Sequence, residues 1–175
     1  MTWIRTIPPA DAEGELAEVY RSIAGARGAV ADVHVAQSLH PKAMRAHLDL
    51  YKAVVLGRSA LPRLTRERIA VVVSSTNRCA YCVAHHAAAL RSLADGPALV
   101  AALAAGELPA ELGAGDQALL SWARRATLDP ASNGRDDLET LRAAGFDDAA
   151  ILDAVLTVGY FCFVNRIVLL LGVDL

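Results

Sequence analysis

The chain has 175 residues, enough to bury one sizeable core, and its sequence predicts a single domain over residues 1–175. Hydrophobic residues make up 54% of the sequence and aromatic residues only 5%, a balance that favours packed helices over sheets and predicts an all-α fold. The formal net charge is −2 and the charges are interspersed, which argues against a nucleic-acid partner because no basic stripe is present.

Neither export nor membrane insertion is predicted. The N-terminal segment lacks the charged, apolar and small-residue pattern of a signal peptide. The longest apolar stretch, Ile151 to Val173, is interrupted by Asp153, Asn165 and Arg166, so we expect a buried core helix there. The three cysteines do not form the even set that cross-links small secreted domains, which indicates a reducing, cytoplasmic location.

Apolar residues at helical spacing predict two amphipathic helices in the first third of the chain. Asp11 is a candidate N-cap for a helix over residues 12–28, where Gly28 ends the pattern. A second helix is predicted from Pro41 to Leu56, and Gly57 is expected to close it.

The central segment predicts two helices separated by a short break. Thr65 is a candidate N-cap for a helix over residues 65–77; its valine run also fits a strand, but the charged start and the helical segment that follows favour a helix. Asn77 is expected to be left-handed and to end that helix. The Ala-rich segment 79–94 then forms a helix up to a turn at Asp95-Gly96-Pro97.

Further helices complete the predicted bundle. They are expected over residues 97–105, 116–128 and 135–144, and from residue 148 or 149 to about residue 171. About seven helices joined by short connections therefore predict a compact all-helical bundle.

Cys79, Cys82 and His86 carry the main functional signal. An α-helix turns by about 100° per residue, so these side chains share one face, with His86 one turn beyond Cys82. The two thiols are spaced to form a disulfide, and the imidazole can reach the second sulfur. A helix N-terminus, an imidazolium or the neighbouring Arg78 would each lower the pKa of a thiol here and favour the nucleophilic thiolate.

Glu67 is a candidate partner for His86. It lies twelve residues before Cys79, and on one unbroken helix it would point about 120° away from the cysteines. A break at Asn77-Arg78 lets two helices fold against each other, so that the carboxylate can orient the imidazole and make it a better base. Spacing alone leaves this contact a hypothesis.

The spacing of these residues resembles the motif of a known superfamily. It runs from Glu67 through eleven residues to the CxxC of Cys79 and Cys82 and, after three more residues, to His86. This pattern resembles the alkylhydroperoxidase D and carboxymuconolactone decarboxylase superfamily, in its branch of small peroxidase-related proteins. The resemblance extends more weakly to the segments at residues 38–51 and 160–175, and so over nearly the whole chain.

The resemblance implies an all-helical antioxidant fold that assembles as a homo-oligomer and reduces an organic hydroperoxide or peroxynitrite. It implies that Cys82 attacks the peroxide and becomes a sulfenic acid, and that Cys79 resolves it into a Cys79–Cys82 disulfide. Glu67 and His86 would relay the proton. No tightly bound cofactor is implied, because a lipoyl protein or another thiol donor would reopen the disulfide.

Tyr81 departs from this pattern, since the alkylhydroperoxidase D type has a histidine just before its second cysteine. Tyrosine is a poor base near neutral pH, so we expect part of the proton relay to be missing and turnover to be slow. The helix dipole favours Cys79 as the more acidic thiol, whereas the resemblance assigns the attack to Cys82. We follow the resemblance because His86 lies one turn from Cys82.

Three alternative functions are also compatible with the dithiol and its neighbouring histidine. Cys79, Cys82 and His86 could bind zinc, although no second CxxC or well-spaced His pair completes a structural site. The dithiol could act as a non-catalytic redox sensor or a general dithiol–disulfide oxidoreductase. The decarboxylase branch of the superfamily needs no dithiol, and the retained CxxC argues against it.

The remaining histidines and the third cysteine are interpreted as structural. His85 is expected at the surface or at an interface. His34, His40 and His47 are expected to be structural or solvated. Cys162 is expected to be a buried, inert thiol because its neighbours are apolar.

The apolar C-terminal segment contains two further groups of interest. Tyr160, Phe161 and Phe163 are expected in the core or at a subunit contact, and some of them along the substrate pocket. Asn165 and Arg166 interrupt the apolar pattern, so we expect them to form a buried hydrogen-bond or ion-pair anchor. The hydrophobic surplus of the chain indicates that self-association hides some apolar surface.

Overall fold

The computed structural model describes residues 2–24, 28–93 and 96–174, and regular structure in these ranges is entirely helical. This confirms the all-α prediction, and the strand alternative for the valine run at residues 71–73 is wrong. Nine α-helices lie in the described ranges, against about seven predicted. They are α1 (Gly14–Ala24), α2 (Asp32–Val35), α3 (Pro41–Tyr51), α4 (Arg63–Thr76), α5 (Ala80–Ser92), α6 (Pro97–Ala104), α7 (Ala114–Leu128), α8 (Arg135–Ala143) and α9 (Asp148–Leu171).

Helix α4 lies at the centre of the bundle and packs against α5, α6, α7 and α9. Its Ile69, Val72 and Val73 are completely buried because neighbouring helices cover α4 on several sides. Glu67 is also completely buried on this helix. An ionised carboxylate in such a position needs hydrogen-bond or charged partners, because burial removes its hydration.

Helix α9 forms the second long wall of the core. Its buried side includes Ala154, Phe161 and Val168, in agreement with the predicted core helix. By length and apolar composition the helix would also be long enough to cross a membrane, a property that core helices of soluble proteins share. Its opposite side exposes large apolar residues such as Leu152 and Phe163.

Helices α1 and α3 pack together around a smaller apolar cluster that includes Met44. Helix α1 begins at Gly14, so Asp11 is not its N-cap; Asp11 ends a short 3-10 turn instead. The prediction is wrong because Ala12 is extended and separates that turn from the helix. Residues 25–27 of the predicted helix lie outside the described residues.

Helix α3 changes geometry before its predicted end. A π-helical turn, Lys52–Leu56, follows it and leads to Gly57. Arg66 of α4 donates to the carbonyl oxygens of Val54 at 2.8 Å and of Gly57 at 3.0 Å, and these bonds hold the turn. A Cβ atom at Gly57 would lie 2.7 Å from the carbonyl oxygen of Ala53, so close backbone approach explains the glycine.

The other predicted helix boundaries agree with the structure to within two residues. Thr65 is not the N-cap of α4, because the helix already begins at Arg63, directly after the extended Pro62. The single turn α2 was not predicted, since four residues carry too little periodicity. Residues 94 and 95, at the predicted end of α5, lie outside the described residues.

Candidate active site

The turn between α4 and α5 positions the two cysteines. Arg78 has a left-handed backbone with φ of 59°, whereas Asn77 is right-handed with φ of −77°. The backbone N–H of Cys79 donates to the Ser74 carbonyl at 2.8 Å, and that of Arg78 donates to Ser75 at 3.0 Å, which are the two bonds of a Schellman motif. The predicted break is present, but Arg78 is its left-handed residue because the right-handed turn continues through Asn77.

Both thiols lie at the start of α5. Cys79 is the N-cap, so the helix begins at Ala80 and not at Cys79 as predicted, and Cys82 lies in the first turn. Both cysteines are reduced and buried, with 0% of Cys79 and 4% of Cys82 exposed. The side chain of Arg78 is exposed to solvent.

The two thiols are hydrogen-bonded to each other and titrate as a pair. This bond lowers the pKa of Cys79 to about 7, whereas the same bond and burial raise the pKa of Cys82. Since the proton lies between two sulfur atoms, the first ionisation belongs to the pair. About half of the dithiol is therefore ionised near pH 7, in a form that can act as a nucleophile.

Glu67 and His86 meet across the interface of α4 and α5. The Nδ1 atom of His86 lies 2.7 Å from Oε2 of Glu67. Arg63, one turn earlier on α4, places its guanidinium 3.3 Å from the other carboxylate oxygen. The hypothesised contact between Glu67 and His86 is therefore present, and it directs Nε2 of the imidazole away from the carboxylate.

A cavity of about 410 Å³ opens beside this cluster. Cys82 and His86 line it, whereas Cys79 is not among the described residues that line it. Apolar side chains, including Leu48 and Val164, form much of the wall. A small ligand in this cavity would therefore meet Cys82 before Cys79.

The three aromatic residues of α9 occupy different positions. Tyr160 lines the cavity, and Phe161 is fully buried with its ring edge-on to His86, at a centroid distance of 4.6 Å. Phe163 is 45% exposed and lines a second cavity of about 600 Å³. The expected core and pocket positions are thus found for the first two residues.

His34 and His47 form a stacked pair inside the protein, with ring centroids 5.2 Å apart. His47 Nε2 lies 2.9 Å from the hydroxyl oxygen of Tyr160, whereas neither ring nitrogen of His34 has a hydrogen-bond partner among the described residues. Burial lowers the pKa of each imidazole to about 4, so both are neutral near pH 7. Both imidazoles are buried, and His34 also lines the cavity of Cys82.

Tyr81 and His85 lie together along the cavity, with ring centroids 4.3 Å apart. Burial raises the pKa of Tyr81, so its phenol is protonated near neutral pH and is not a base. His85 is exposed, as predicted. His40 is also exposed, and its ring accepts a hydrogen bond from the backbone N–H of Ala43 as the N-cap of α3.

Asn165 is a fully buried polar residue on α9. Its Oδ1 accepts from Nδ2 of Asn77 at 2.9 Å, and its Nδ2 donates to Oγ of Ser74 at 3.1 Å. Arg166 points to solvent and donates to the carbonyl oxygen of Cys162. The predicted anchor therefore consists of Asn165 without Arg166, because successive helical residues point about 100° apart.

Cys162 is half-buried, and the prediction of a fully buried thiol is wrong. It lines the second cavity together with its neighbour Phe163 and with Trp122 of α7. Its sulfur is 3.9 Å from Nδ2 of Asn77, the amide that also holds Asn165. Apolar sequence neighbours did not predict its exposure because the second cavity forms only when α7 and α9 pack.

The zinc alternative has no suitable ligand set in the described ranges. Within them, no three His, Cys, Asp or Glu side chains are placed to hold one metal ion. The Nδ1 atom of His86 already contacts Glu67, and Cys79 lies outside the described cavity lining. The arrangement is instead that of a dithiol beside an imidazole and carboxylate pair.

Comparison with known proteins identifies the family. Residues 41–125 match the model of the carboxymuconolactone decarboxylase family. An uncharacterized peroxidase-related protein from Silicibacter sp. TM1040 is 34% identical, and the match covers 95% of this chain and 87% of that protein with a TM-score of 0.85. An alkylhydroperoxidase AhpD core protein from Ralstonia eutropha JMP134, also peroxidase-related, is 25% identical, with 99% and 91% coverage and a TM-score of 0.88.

The all-helical fold and the CxxC at the start of α5 define an alkylhydroperoxidase D-like protein. The chain belongs to the alkylhydroperoxidase D and carboxymuconolactone decarboxylase superfamily. Its similarity to the two peroxidase-related proteins supports an enzymatic role. The debrominase Bmp8 shares the fold, with 18% identity, 100% of this chain and 92% of that chain covered, and a TM-score of 0.81.

Proposed function

We propose that the protein is a thiol-dependent peroxidase that reduces organic hydroperoxides through a Cys79–Cys82 dithiol–disulfide cycle. The observation that carries this proposal is the placement of Cys82 along the cavity beside His86, whose Nδ1 lies 2.7 Å from the buried carboxylate of Glu67. The apolar wall suits the organic group of a hydroperoxide, and the polar cluster suits its oxygen atoms.

The proposed cycle begins when the Cys82 thiolate attacks the terminal oxygen of R–O–OH. The O–O bond breaks, the sulfur is oxidised to a sulfenic acid, and the leaving alkoxide takes a proton to become the alcohol. Cys79 then attacks the Cys82 sulfur, the disulfide forms, and the sulfenic oxygen leaves as water. An external dithiol reopens the disulfide by exchange and is itself oxidised to a disulfide.

His86 is the group that moves protons in this proposal. Glu67 accepts from Nδ1 and orients the ring, so Nε2 can take a proton from the dithiol and pass it to the alkoxide. Arg63 supports the other oxygen of the carboxylate. Tyr81 supplies no second base, and we therefore expect slow turnover compared with family members that carry a histidine at this position.

The source of electrons is proposed to be a lipoyl protein or another thiol donor of the cytoplasm, with no tightly bound cofactor. In a reducing compartment such donors hold a CxxC pair in its dithiol form, ready for the next peroxide. The same dithiol would serve a redox sensor, in which the disulfide forms but peroxide turnover is negligible. The experiment below separates these two functions.

Self-association through α9 is a further part of the proposal. Large apolar side chains recur at helical spacing on its exposed side and form the α9 stripe: Leu152, Val155, Leu156, Phe163 and Leu170. Gly159 lies within the stripe, and a Cβ atom there would meet nothing within 4 Å. Exposed apolar side chains along one side of a helix are typical of a protein contact, and we propose a homo-oligomer in which a second copy covers the α9 stripe.

The test is a count of free thiols before and after a single addition of cumene hydroperoxide, followed by turnover with a dithiol reductant. We expect the wild-type protein to lose two thiols and to consume peroxide when reductant is present. Cys82→Ser should do neither while keeping its helical circular dichroism. Cys162→Ser is the matched control, since its thiol lies outside the cavity of Cys82, and it should behave as wild type.

Each result has a distinct meaning. Unchanged turnover in Cys82→Ser would rule out the role assigned to that residue. Loss of two thiols without turnover, with several dithiol reductants including a lipoyl protein, would favour the redox sensor. If no thiol reacts with the peroxide, the peroxidase proposal is wrong.

A further inference from the structure

The hydrogen bonds of Gln37 determine which nitrogen of His47 carries a hydrogen. Nε2 of Gln37 donates to the carbonyl oxygen of Val33 at 2.8 Å, which fixes that end of the amide as its nitrogen. The same nitrogen lies 2.8 Å from Nδ1 of His47, whereas Oε1 of Gln37 is farther from Nδ1, at 3.2 Å. A hydrogen on Nδ1 would oppose those of the amide nitrogen, so Nδ1 accepts and carries none.

The hydrogen of the His47 ring therefore belongs to Nε2, because a neutral imidazole has only one. The ring is neutral near pH 7, since burial lowers its pKa to about 4. Nε2 lies 2.9 Å from the hydroxyl oxygen of Tyr160, so His47 donates and the phenol oxygen accepts. Burial raises the pKa of Tyr160, so the phenol keeps its own hydrogen, and no described residue accepts that hydrogen.

The groups around this hydroxyl line the cavity that contains Cys82. Tyr160 itself lines the cavity. So do His34, which stacks on the imidazole of His47, and Tyr51, whose ring centroid lies 5.8 Å from that of Tyr160. A buried hydroxyl hydrogen without an acceptor is unfavourable, and a molecule in the cavity can supply one.

We propose that Tyr160 is a substrate-binding residue whose hydroxyl donates its hydrogen to an oxygen atom of the ligand in the cavity of Cys82. The ligand is a neutral organic hydroperoxide before the reaction and the corresponding alcohol after it. His47 and Gln37 are positioning residues, because they direct the hydrogen of the phenol away from the imidazole. The inference rests on the proposed peroxidase function for the identity of the ligand, but binding through the hydroxyl can be measured without any reaction.

Such a hydrogen bond would become stronger as the proposed reaction proceeds. When the Cys82 thiolate attacks the terminal oxygen, the O–O bond breaks and negative charge develops on the inner oxygen, which leaves as an alkoxide. A donor to that oxygen stabilises the charged leaving group more than the neutral hydroperoxide. Tyr160 keeps its proton throughout, and His86 supplies the proton that converts the alkoxide into the alcohol.

The experiment compares two ligands of similar shape: cumyl alcohol, the product of cumene hydroperoxide, and cumene, which has a hydrogen in place of the hydroxyl group. Their dissociation constants are measured by NMR titration of the reduced wild-type protein and of Tyr160→Phe. Loss of one neutral hydrogen bond predicts that the alcohol binds about two- to tenfold more weakly to Tyr160→Phe. Cumene should bind equally well to both proteins, because it has no oxygen atom.

Tyr20→Phe is the matched control, since it also removes a buried tyrosine hydroxyl. That hydroxyl donates to the carbonyl oxygen of Ile7 at 2.7 Å, and Tyr20 is not among the described residues that line the cavity of Cys82. The control should bind both ligands as the wild type does. An alcohol that does not bind to the wild type, or binds Tyr160→Phe as tightly, would overturn the inference. An equal weakening for cumene would also overturn it, because the role of Tyr160 would then be structural.

The tautomer of His47 tests the inference in the wild-type protein, and it decides the question if Tyr160→Phe does not fold. Nitrogen NMR of isotope-labelled histidine should show Nε2 protonated and Nδ1 unprotonated. A hydrogen on Nδ1 would make Tyr160 the donor to His47, and the inference would be wrong.

The outcome is also separable from that of the proposed function. If the wild-type protein consumes no peroxide and Tyr160→Phe still weakens binding of the alcohol alone, the peroxidase function fails while the binding role of Tyr160 stands. If peroxide is consumed and binding of the alcohol does not depend on Tyr160, this inference is wrong and the peroxidase function is unaffected.

Discussion

At the scale of single residues, His34 and His47 couple the stability of the fold to pH. Burial lowers the pKa of both from 6.5 to about 4, whereas in the unfolded chain both titrate near the ordinary value. Between these values the unfolded state binds more protons than the folded state. Stability is therefore fully present above about pH 6.5 and falls as the pH drops, by about 2 kcal/mol per histidine at pH 5.

Replacing His34 by phenylalanine should remove its share of this acid destabilisation. Urea unfolding at about pH 7.5 and pH 5 is expected to show a loss about 2 kcal/mol smaller in His34→Phe than in wild type. At the higher pH we expect the variant to be at least as stable, because the phenyl ring removes two buried nitrogens that lack partners in the described part of the chain.

The control for this prediction is His40→Asn, which replaces an exposed histidine by another residue suited to the N-cap position. It should keep the wild-type dependence on pH. If His34→Phe loses as much stability at pH 5 as the wild type does, His34 is not a source of the acid sensitivity.

The sequence predicted the contacts of some buried polar residues and not those of others, for a physical reason. Glu67 and His86 could be paired because they lie on helices that are consecutive in the chain and share a short turn. Asn165 could be recognised only as a buried polar residue, since its partner Asn77 is 88 residues away. The contact between His34 and His47 likewise could not be predicted from the sequence, because it depends on how two separate helices pack.

At the scale of structural elements, the turn from α4 to α5 contains a residue in an unfavourable conformation. Arg78 has φ of 59°, a left-handed backbone that costs about 1–2 kcal/mol for a residue with a Cβ atom. Glycine favours this position of a Schellman motif. We therefore expect Arg78→Gly to raise the free energy of unfolding by about 0.5–1 kcal/mol, measured by urea denaturation.

Arg78→Ala separates the backbone effect from loss of the side chain. Alanine keeps the Cβ atom and its strain, so its stability should stay close to that of wild type, within about 0.5 kcal/mol. Equal stabilisation by alanine and glycine would show that the exposed arginine side chain, and not its backbone, is unfavourable.

The elements themselves were predictable where periodicity was strong and local. The long helix α9 was expected close to its observed bounds, because most of this segment is apolar. In the structure Asp147 is its N-cap and the left-handed Gly172 ends it. The π-helical turn after α3 was not, since Arg66 from the next helix holds its carbonyl groups. Contacts made by another element decide such details, and local sequence does not contain them.

At the scale of the whole molecule, the α9 stripe leads to a prediction about assembly. Leu156 lies near its middle and is 44% exposed. If a second copy covers the stripe, Leu156→Glu buries a charge in the contact and should yield single chains of 18.5 kDa, whereas wild type should be larger. Light scattering coupled to size-exclusion chromatography measures both.

Leu50→Glu provides the matched control, because Leu50 of α3 is 42% exposed but lies outside the stripe. This variant should retain the wild-type mass. A wild-type protein that is monomeric at micromolar concentration would contradict the proposed oligomer, and a mass unaffected by Leu156→Glu would place the contact elsewhere.

The hydrophobic composition of the sequence predicted that apolar surface would be exposed, but it did not predict where on the molecule. A composition of 54% hydrophobic residues shows only that a chain of this size has more apolar area than its core needs. Which side of α9 stays exposed depends on how α4 and α7 cover the other side. Composition thus predicts the amount of exposed apolar surface, and packing decides its place.

Cys79 is buried and outside the cavity lining, and this sets the direction of thiol exchange in the proposed cycle. A reductant entering by the cavity reaches the Cys82 sulfur first, so it forms a mixed disulfide with Cys82 and expels Cys79 as the leaving thiolate. The position of Cys79 at the N-cap of α5 favours the departing thiolate in that step. Because a folded protein surface cannot enter a space of about 410 Å³, we expect the electrons of the proposed cycle to arrive on a slender, flexible carrier.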